Sequence, residues 1–285
     1  MTTRSSTPSP SPSPSIGGTE TETETTRPER FRTDGFTPVG SLLSDEEVDV
    51  YRNIYDRFLS GEIDCGAKRS DLGAGAEGRT ATQVSGAQGK APESITQIMW
   101  PSALCPELAN LPLHERALNV ARELAGDDLV LDFDMLIDKA PHTATPTPWH
   151  QDAAYWVDLP DTRAVSIWVA LDAATPDNGC MWYVRGSHRA PLRPHRPAGS
   201  GGGALECACS EAEPGAVPVP LAPGEGAAHG GGTLHYSRGN STERHRRAYI
   251  LNYRSADMIR LEREQGMDHG LHNNERTVRN TSATR

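Results

Sequence analysis

From Leu129 to Ile137 the chain alternates. Leu131, Phe133, Met135 and Ile137 are apolar, while Asp132, Asp134 and then Asp138 take the intervening register. Side chains on an extended backbone alternate between its two faces, so this period of two predicts a strand with one apolar and one acidic face. Further short strands are expected at Ala164–Leu171, Cys180–Val184 and Arg247–Tyr253, divided by Pro/Gly turns and by a long insertion from Pro197 to Pro223. Two segments ahead of these have helical periodicity. In Asp45–Leu59, Ser44 and Glu47 form a capping box and Val48, Tyr51, Tyr55 and Phe58 share a face. In Leu113–Leu124, Ala117, Val120, Ala121 and Leu124 do so, ahead of a capping Gly126. Leading helices followed by many short strands predict a mainly β fold with flanking α-helices. Its core is expected to be a double-stranded β-helix, a jelly roll of the cupin type, over about 129–257.

The chain's 285 residues suit one large domain, 31–285, behind a low-complexity tail. Residues 1–30 are Ser/Thr/Pro and then Thr-Glu repeats, with almost nothing apolar to bury, and are expected to stay disordered. The Gly-rich stretch Gly61–Gly89 has the composition of a mobile lid or substrate loop. No run of 18 apolar residues predicts a membrane span, and the absence of an apolar signal-peptide core points to the cytoplasm. Five scattered cysteines, including the Cys207/Cys209 pair, match neither a disulfide framework nor zinc knuckles. A net charge of −10, with Lys only at 68, 90 and 139, disfavours nucleic acid and favours small cationic partners. A homo-oligomer is compatible with this composition.

The chemistry concentrates at Trp149-His150-Gln151-Asp152. On an extended backbone His150 and Asp152 point the same way, which supplies two thirds of a 2-His-1-carboxylate facial triad suited to Fe(II). The third ligand is sought in Gly232-Thr233-Leu234-His235-Tyr236-Ser237, with Arg246 eleven residues beyond His235. A hairpin of that length would set Arg246 beside His235 on the neighbouring strand. Its planar fork would then grip a carboxylate at the far end of a ligand chelating the metal. His229, six residues before His235, is a rival ligand out of register with Ser237 and Arg246.

Taken in order, these elements resemble the phytanoyl-CoA dioxygenase family of Fe(II)/2-oxoglutarate oxygenases. The resemblance runs from about Leu129 to Asp257: Met135 to Lys139, Trp149 to Asp152, Trp168, Asp177 to Cys180 leading into Gly186-Ser187-His188, His235 to Ser237, Asn240-Ser241 and Arg246 to Asp257. It implies His150, Asp152 and His235 as iron ligands and as the catalytic set, with 2-oxoglutarate and O2 as cosubstrates. Arg246 and Ser237 would bind the distal carboxylate of 2-oxoglutarate; Met135, Gln151, Trp168 and Gln97 would line its pocket. Trp156 matches a substrate-packing position, and Tyr155 and Asp134 join it as candidate substrate contacts. Tyr236, where the family often has Gly, implies a narrower pocket. Halogenating relatives carry a small residue in place of Asp152, so hydroxylation or desaturation is implied instead.

For the substrate, few lysines and the acidic strand argue against an acyl-CoA and for a polycationic amino sugar. The resemblance extends to aminoglycoside-tailoring members, which implies hydroxylation at an amine-bearing carbon and loss of ammonia to a ketone. Hydroxylation of another small substrate, such as an amino acid, an ectoine-like compound or an acyl thioester, stays open. So does a non-catalytic, cupin-like binding or sensing module.

Overall fold

The computed structural model describes residues 25–73, 93–198 and 204–272. In chain order its elements are α1 (Arg27–Asp34), β1 (Phe36–Ser41), α2 (Asp45–Leu59), β2 (Arg69–Asp71), β3 (Ile95–Met99), and the four-residue helices α3 (Pro101–Leu104) and α4 (Pro106–Ala109). There follow α5 (Pro112–Ala125), β4 (Leu129–Lys139), β5 (Thr147–His150), β6 (Ala164–Ala170), β7 (Met181–Val184), β8 (His195–Pro197) and β9 (Leu205–Cys207). The last are β10 (Ala216–Val219), β11 (Glu225–His229), β12 (His235–Ser237), β13 (Arg246–Ser255) and α6 (Ala256–Glu264).

The strands form a seven-stranded sheet of order β1-β11-β6-β13-β4-β3-β2 and a four-stranded sheet of order β10-β7-β12-β5. This is the jelly roll expected, although the major sheet begins at Phe36, well before Leu129. The presumed insertion Pro197–Pro223 also contains β10, a strand of the minor sheet paired with β7. The tail ends earlier than its composition suggests. Thr26 caps α1 in a capping box with Glu29, so residues 27–30 are helical; residues 1–24 lie outside the described residues. Most of the Gly61–Gly89 stretch also lies outside them, its described part holding a 3-10 turn and β2.

The two long helices cover the outer face of the major sheet. Their predicted stripes bury Tyr51, Tyr55 and Phe58 of α2 and Ala117, Val120 and Ala121 of α5 against Val165, Ile167 and Val169 of β6. The inner face of β6, with Trp168 and Ala170, packs instead against Met181 and Tyr183 of the minor sheet. A strand buried on both faces needs no polar alternation, which is why Ala164–Ala170 is almost wholly apolar.

The faces of β4 depart from the simple alternation. Pairing with β13 slips between Asn252 and Tyr253, which face Phe133 and Leu131, so Asp132 is the extra residue of a β-bulge. Leu131 therefore packs with the helix-side core while Phe133, Met135 and Ile137 face inward. Nor is the acidic face solvated, because Asp132, Asp134 and Asp138 are all buried. Asp132 pairs with Arg254 and Arg263, Asp134 accepts from Tyr249 Oη, and Asp138 meets His245.

Candidate active site

Between the two sheets lies a cavity whose lining includes His150, Asp152, His235, Trp168 and Arg246. His150 ends β5, and the backbone stays extended through Gln151 (φ −126°, ψ 127°) before turning at Asp152 into a short 3-10 helix. That one extended residue sends His150 and Asp152 inward together, as the His-x-Asp spacing predicts. β12 lies next to β5 with His235 opposite His150. The potential ligand atoms of the three residues lie within 4.8 Å of one another. His150 Nε2 and His235 Nε2 stand 3.6 and 3.5 Å from Asp152 Oδ1. Each histidine turns its Nδ1 to a backbone carbonyl, Pro148 O at 2.7 Å and Thr233 O at 2.9 Å, leaving both Nε2 atoms for a metal. Burial, reinforced by His235, pushes the pKa of His150 down to about 3, which keeps it neutral as a ligand must be.

Asp152 Oδ2 is held from the other side. Ser166 Oγ donates to it at 2.9 Å, and His229 Nε2 lies 3.2 Å away. A carboxylate only accepts, so the His229 nitrogen must carry its proton there, and its lone pair is unavailable to a metal. The other ring nitrogen, Nδ1, is 3.3 Å from Tyr183 Oη. This disfavours His229 as the rival ligand: it orients the carboxylate, leaving Oδ1 facing the two histidines. Burial raises the pKa of Asp152, but His235 and the bond from His229 outweigh it and hold the group well below the usual carboxylate range.

At the other end of the cavity Arg246 is only 1% exposed, and its Nε and Nη1 have no partner among the described residues. Burial lowers its pKa, but only to about 10, so it stays cationic at neutral pH. Its guanidinium lies 5.2 Å from the centre of the Trp168 ring, and Lys139 sits opposite it on β4. A cation buried with free donors beside a metal-ligand triad fits a bound dianion with one carboxylate at each end. The donor sets thus fit Fe(II) and 2-oxoglutarate.

The expected neighbourhood of Arg246 is corrected in one respect. β12 and β13 belong to different sheets, with β13 between β6 and β4, so Arg246 faces the triad across the barrel and does not adjoin His235 on a paired strand. Ser237, Met135 and Gln97 line the cavity, with Gln97 Nε2 3.2 Å from Met135 Sδ. Tyr155 and Trp156 also line it; Tyr155 Oη accepts from Leu205 N, and Trp156 lies under Arg254.

Three expectations are not met. Gln151 points away from the cavity, donating from Nε2 to Gly232 O and accepting from Arg193 N, because it alternates with the two inward ligands. Asp134 faces the helices, bonded to Tyr249 Oη and Ser102 N, and is absent from the cavity lining. Tyr236 stacks on Trp149 outside the site, with ring centres 4.4 Å apart, and does not narrow the cavity. Sequence reasoning passed over Ser166 and Asn252, which line the cavity from β6 and β13. Their signal was polarity at the inward-facing registers of otherwise apolar strands.

The chain belongs to the phytanoyl-CoA dioxygenase (PhyH) family, whose model matches residues 31–248. Among solved structures it is similar to EvdO2 from Micromonospora carbonacea var. aurantiaca complexed with 2-oxoglutarate. That likeness is 30% identity and a TM-score of 0.63, covering 85% of this chain and 93% of the other. Among curated proteins, phytanoyl-CoA dioxygenase domain-containing protein 1 of Bos taurus is 31% identical over 142 residues, 48% of this chain and 49% of that protein. Ectoine dioxygenase of Streptomyces anulatus is 26% identical over 165 residues, 57% and 50% respectively. The chain spans about half the length of the curated relatives it matches.

Proposed function

We propose that this chain is an Fe(II)/2-oxoglutarate-dependent dioxygenase, of the EC 1.14.11 type, that oxidises a C–H bond of a small specialised metabolite. The favoured substrate is an amino sugar of an aminoglycoside antibiotic. The buried guanidinium of Arg246, with two of its three nitrogens unpartnered among the described residues, lies across the cavity from His150, Asp152 and His235 and carries this reading. In it His150 Nε2, His235 Nε2 and Asp152 Oδ1 would hold the metal, while Arg246 and Ser237 would bind the distal carboxylate of 2-oxoglutarate. When bound, iron and 2-oxoglutarate supply with O2 the oxidation of a C–H bond, giving succinate and CO2 as coproducts.

The protein's own residues fix positions and exclude water. Ser166 and His229 keep Asp152 from rotating, Trp168 backs the guanidinium, and Met135 and Gln97 close the cosubstrate end. Trp156 and Tyr155 offer ring faces to the substrate. At an amine-bearing carbon the C–H bond becomes C–OH. The C–N bond then breaks as ammonia leaves and the hydroxyl gives up its proton to form a ketone.

The buried Asp132, Asp134 and Asp138 do not recommend a cationic substrate, since each is paired within the fold. Support comes from the cavity instead: among the described residues lining it Arg246 is the one Arg or Lys, and His269 is already paired with Asp132 and Glu262. A turnover screen with Fe(II), 2-oxoglutarate and O2 against aminoglycosides, amino acids and acyl thioesters tests the proposal. Succinate and ammonia should form together with an aminoglycoside. Turnover with the other classes alone would overturn the substrate, and no iron-dependent 2-oxoglutarate consumption with any of them would leave a binding module.

A further inference from the structure

Asn252, Ser166 and His229 stand opposite one another on β13, β6 and β11. Ser166 Oγ has one proton and donates it to Asp152 Oδ2, a group that only accepts. It must therefore accept from Asn252, whose Nδ2 is 2.7 Å away. That direction fixes the amide: Nδ2 faces Ser166, and Oδ1 is left over. Asn252 is 1% exposed and lines the cavity, and its Oδ1 has no partner among the described residues. A buried carbonyl left unmatched is costly, and a ligand donor would relieve it.

Arg246, Ile250 and Asn252 all face the same cavity from β13. At about 3.3 Å per residue, Arg246 and Asn252 lie roughly 20 Å apart along the strand, far more than a five-carbon diacid spans. Asn252 therefore belongs to the end opposite the cosubstrate, where Phe133 lies opposite it on β4, His269 packs on Phe133 and Trp156 lies under Arg254. Cations near that end are already engaged, because Arg254 and His269 both pair with Asp132 and Glu262.

We propose that Asn252 is a substrate-specificity residue whose Oδ1 accepts a hydrogen bond from an ammonium or hydroxyl of the substrate. The molecule held beside Trp156 then carries donors, as an amino sugar does and an acyl chain does not. This rests on the oxygenase reading and adds the residue that selects the substrate.

The test uses the full chain loaded with Mn(II) and 2-oxoglutarate, titrated calorimetrically with neamine and with octanoyl-CoA. Asn252→Leu removes Oδ1 at similar bulk, and Asn252→Ala guards against a packing artefact. Both should weaken neamine binding about tenfold or more while 2-oxoglutarate affinity stays within about twofold. Unchanged neamine affinity in both variants would overturn the acceptor and leave the oxygenase reading intact. An equal loss of 2-oxoglutarate affinity would assign Asn252 a structural role and overturn it as well. Octanoyl-CoA binding without neamine binding would overturn the acceptor and the amino-sugar substrate together.

Discussion

Arg246 is buried as deeply as the apolar side chains around it, yet two of its nitrogens find no acceptor among the described residues. Removing one partner of a buried charge pair costs about 2 kcal/mol or more, so Arg246→Ala should weaken 2-oxoglutarate binding by at least about 30-fold, measured calorimetrically on metal-loaded protein. Metal affinity should be nearly unchanged. Arg246→Lys should recover only part of the loss, since a point charge cannot form the two parallel bonds of a fork. His229 makes the converse case. His229→Leu removes the donor to Asp152 Oδ2 and should weaken Mn(II) binding by about 10- to 100-fold, with His229→Gln recovering part of it. At this scale the candidate ligands His150 and Asp152 were legible because His-x-Asp is a local pattern on one extended segment. The role of His229 was not, because its partners Asp152 and Tyr183 are 77 and 46 residues away in sequence. Gln151 could have been excluded by the same alternation that selected its neighbours.

Helices α2 and α5 follow from their apolar stripes and, for α2, its capping box, both local signals. The bulge in β4 does not, since it arises from pairing with β13 more than 100 residues on; Asp132 had no visible counter-ion until Arg254 and Arg263 came beside it. That bulge anchors the end of the described chain. Asp132 and Glu262 also hold His269, whose ring packs at a tilt on Phe133 at the cavity and whose carbonyl accepts from Trp100 Nε1. Burial alone would lower the pKa of His269, but Asp132 and Glu262 outweigh it and the net shift is upward from 6.5. A group raised on folding stabilises fully below its unfolded pKa and loses that contribution as pH rises through its folded value. Protection factors for hydrogen exchange across 265–272, with the intrinsic pH dependence divided out, should therefore be highest below about pH 6.5 and fall above it, and His269→Gln should flatten that dependence. A rise in protection with pH would contradict the pairing. Gly179 is the turn position to test: its φ is +90°, and a Cβ there would lie 2.5 Å from Arg238 O. Gly179→Ala should cost about 1–3 kcal/mol, read as a lowered Tm, because the strained conformation and the backbone contact add.

Over the whole molecule, leading helices followed by many short strands predicted the jelly roll, but the assignment of strands to sheets was hidden. A spacing of eleven residues suggested a hairpin from His235 to Arg246; the chain instead crosses from the minor sheet to the centre of the major one. That crossing sets the guanidinium and the triad on opposite walls, with space between them for a ligand that touches both. The central claim is that these walls hold a metal and 2-oxoglutarate as one unit. Calorimetric titration of 2-oxoglutarate into the full chain, with and without Mn(II), tests it most directly. The account predicts one site per chain that appears only with the metal and is lost in both Asp152→Ala and Arg246→Ala. Equal binding without metal, or binding undiminished in either variant, would contradict it.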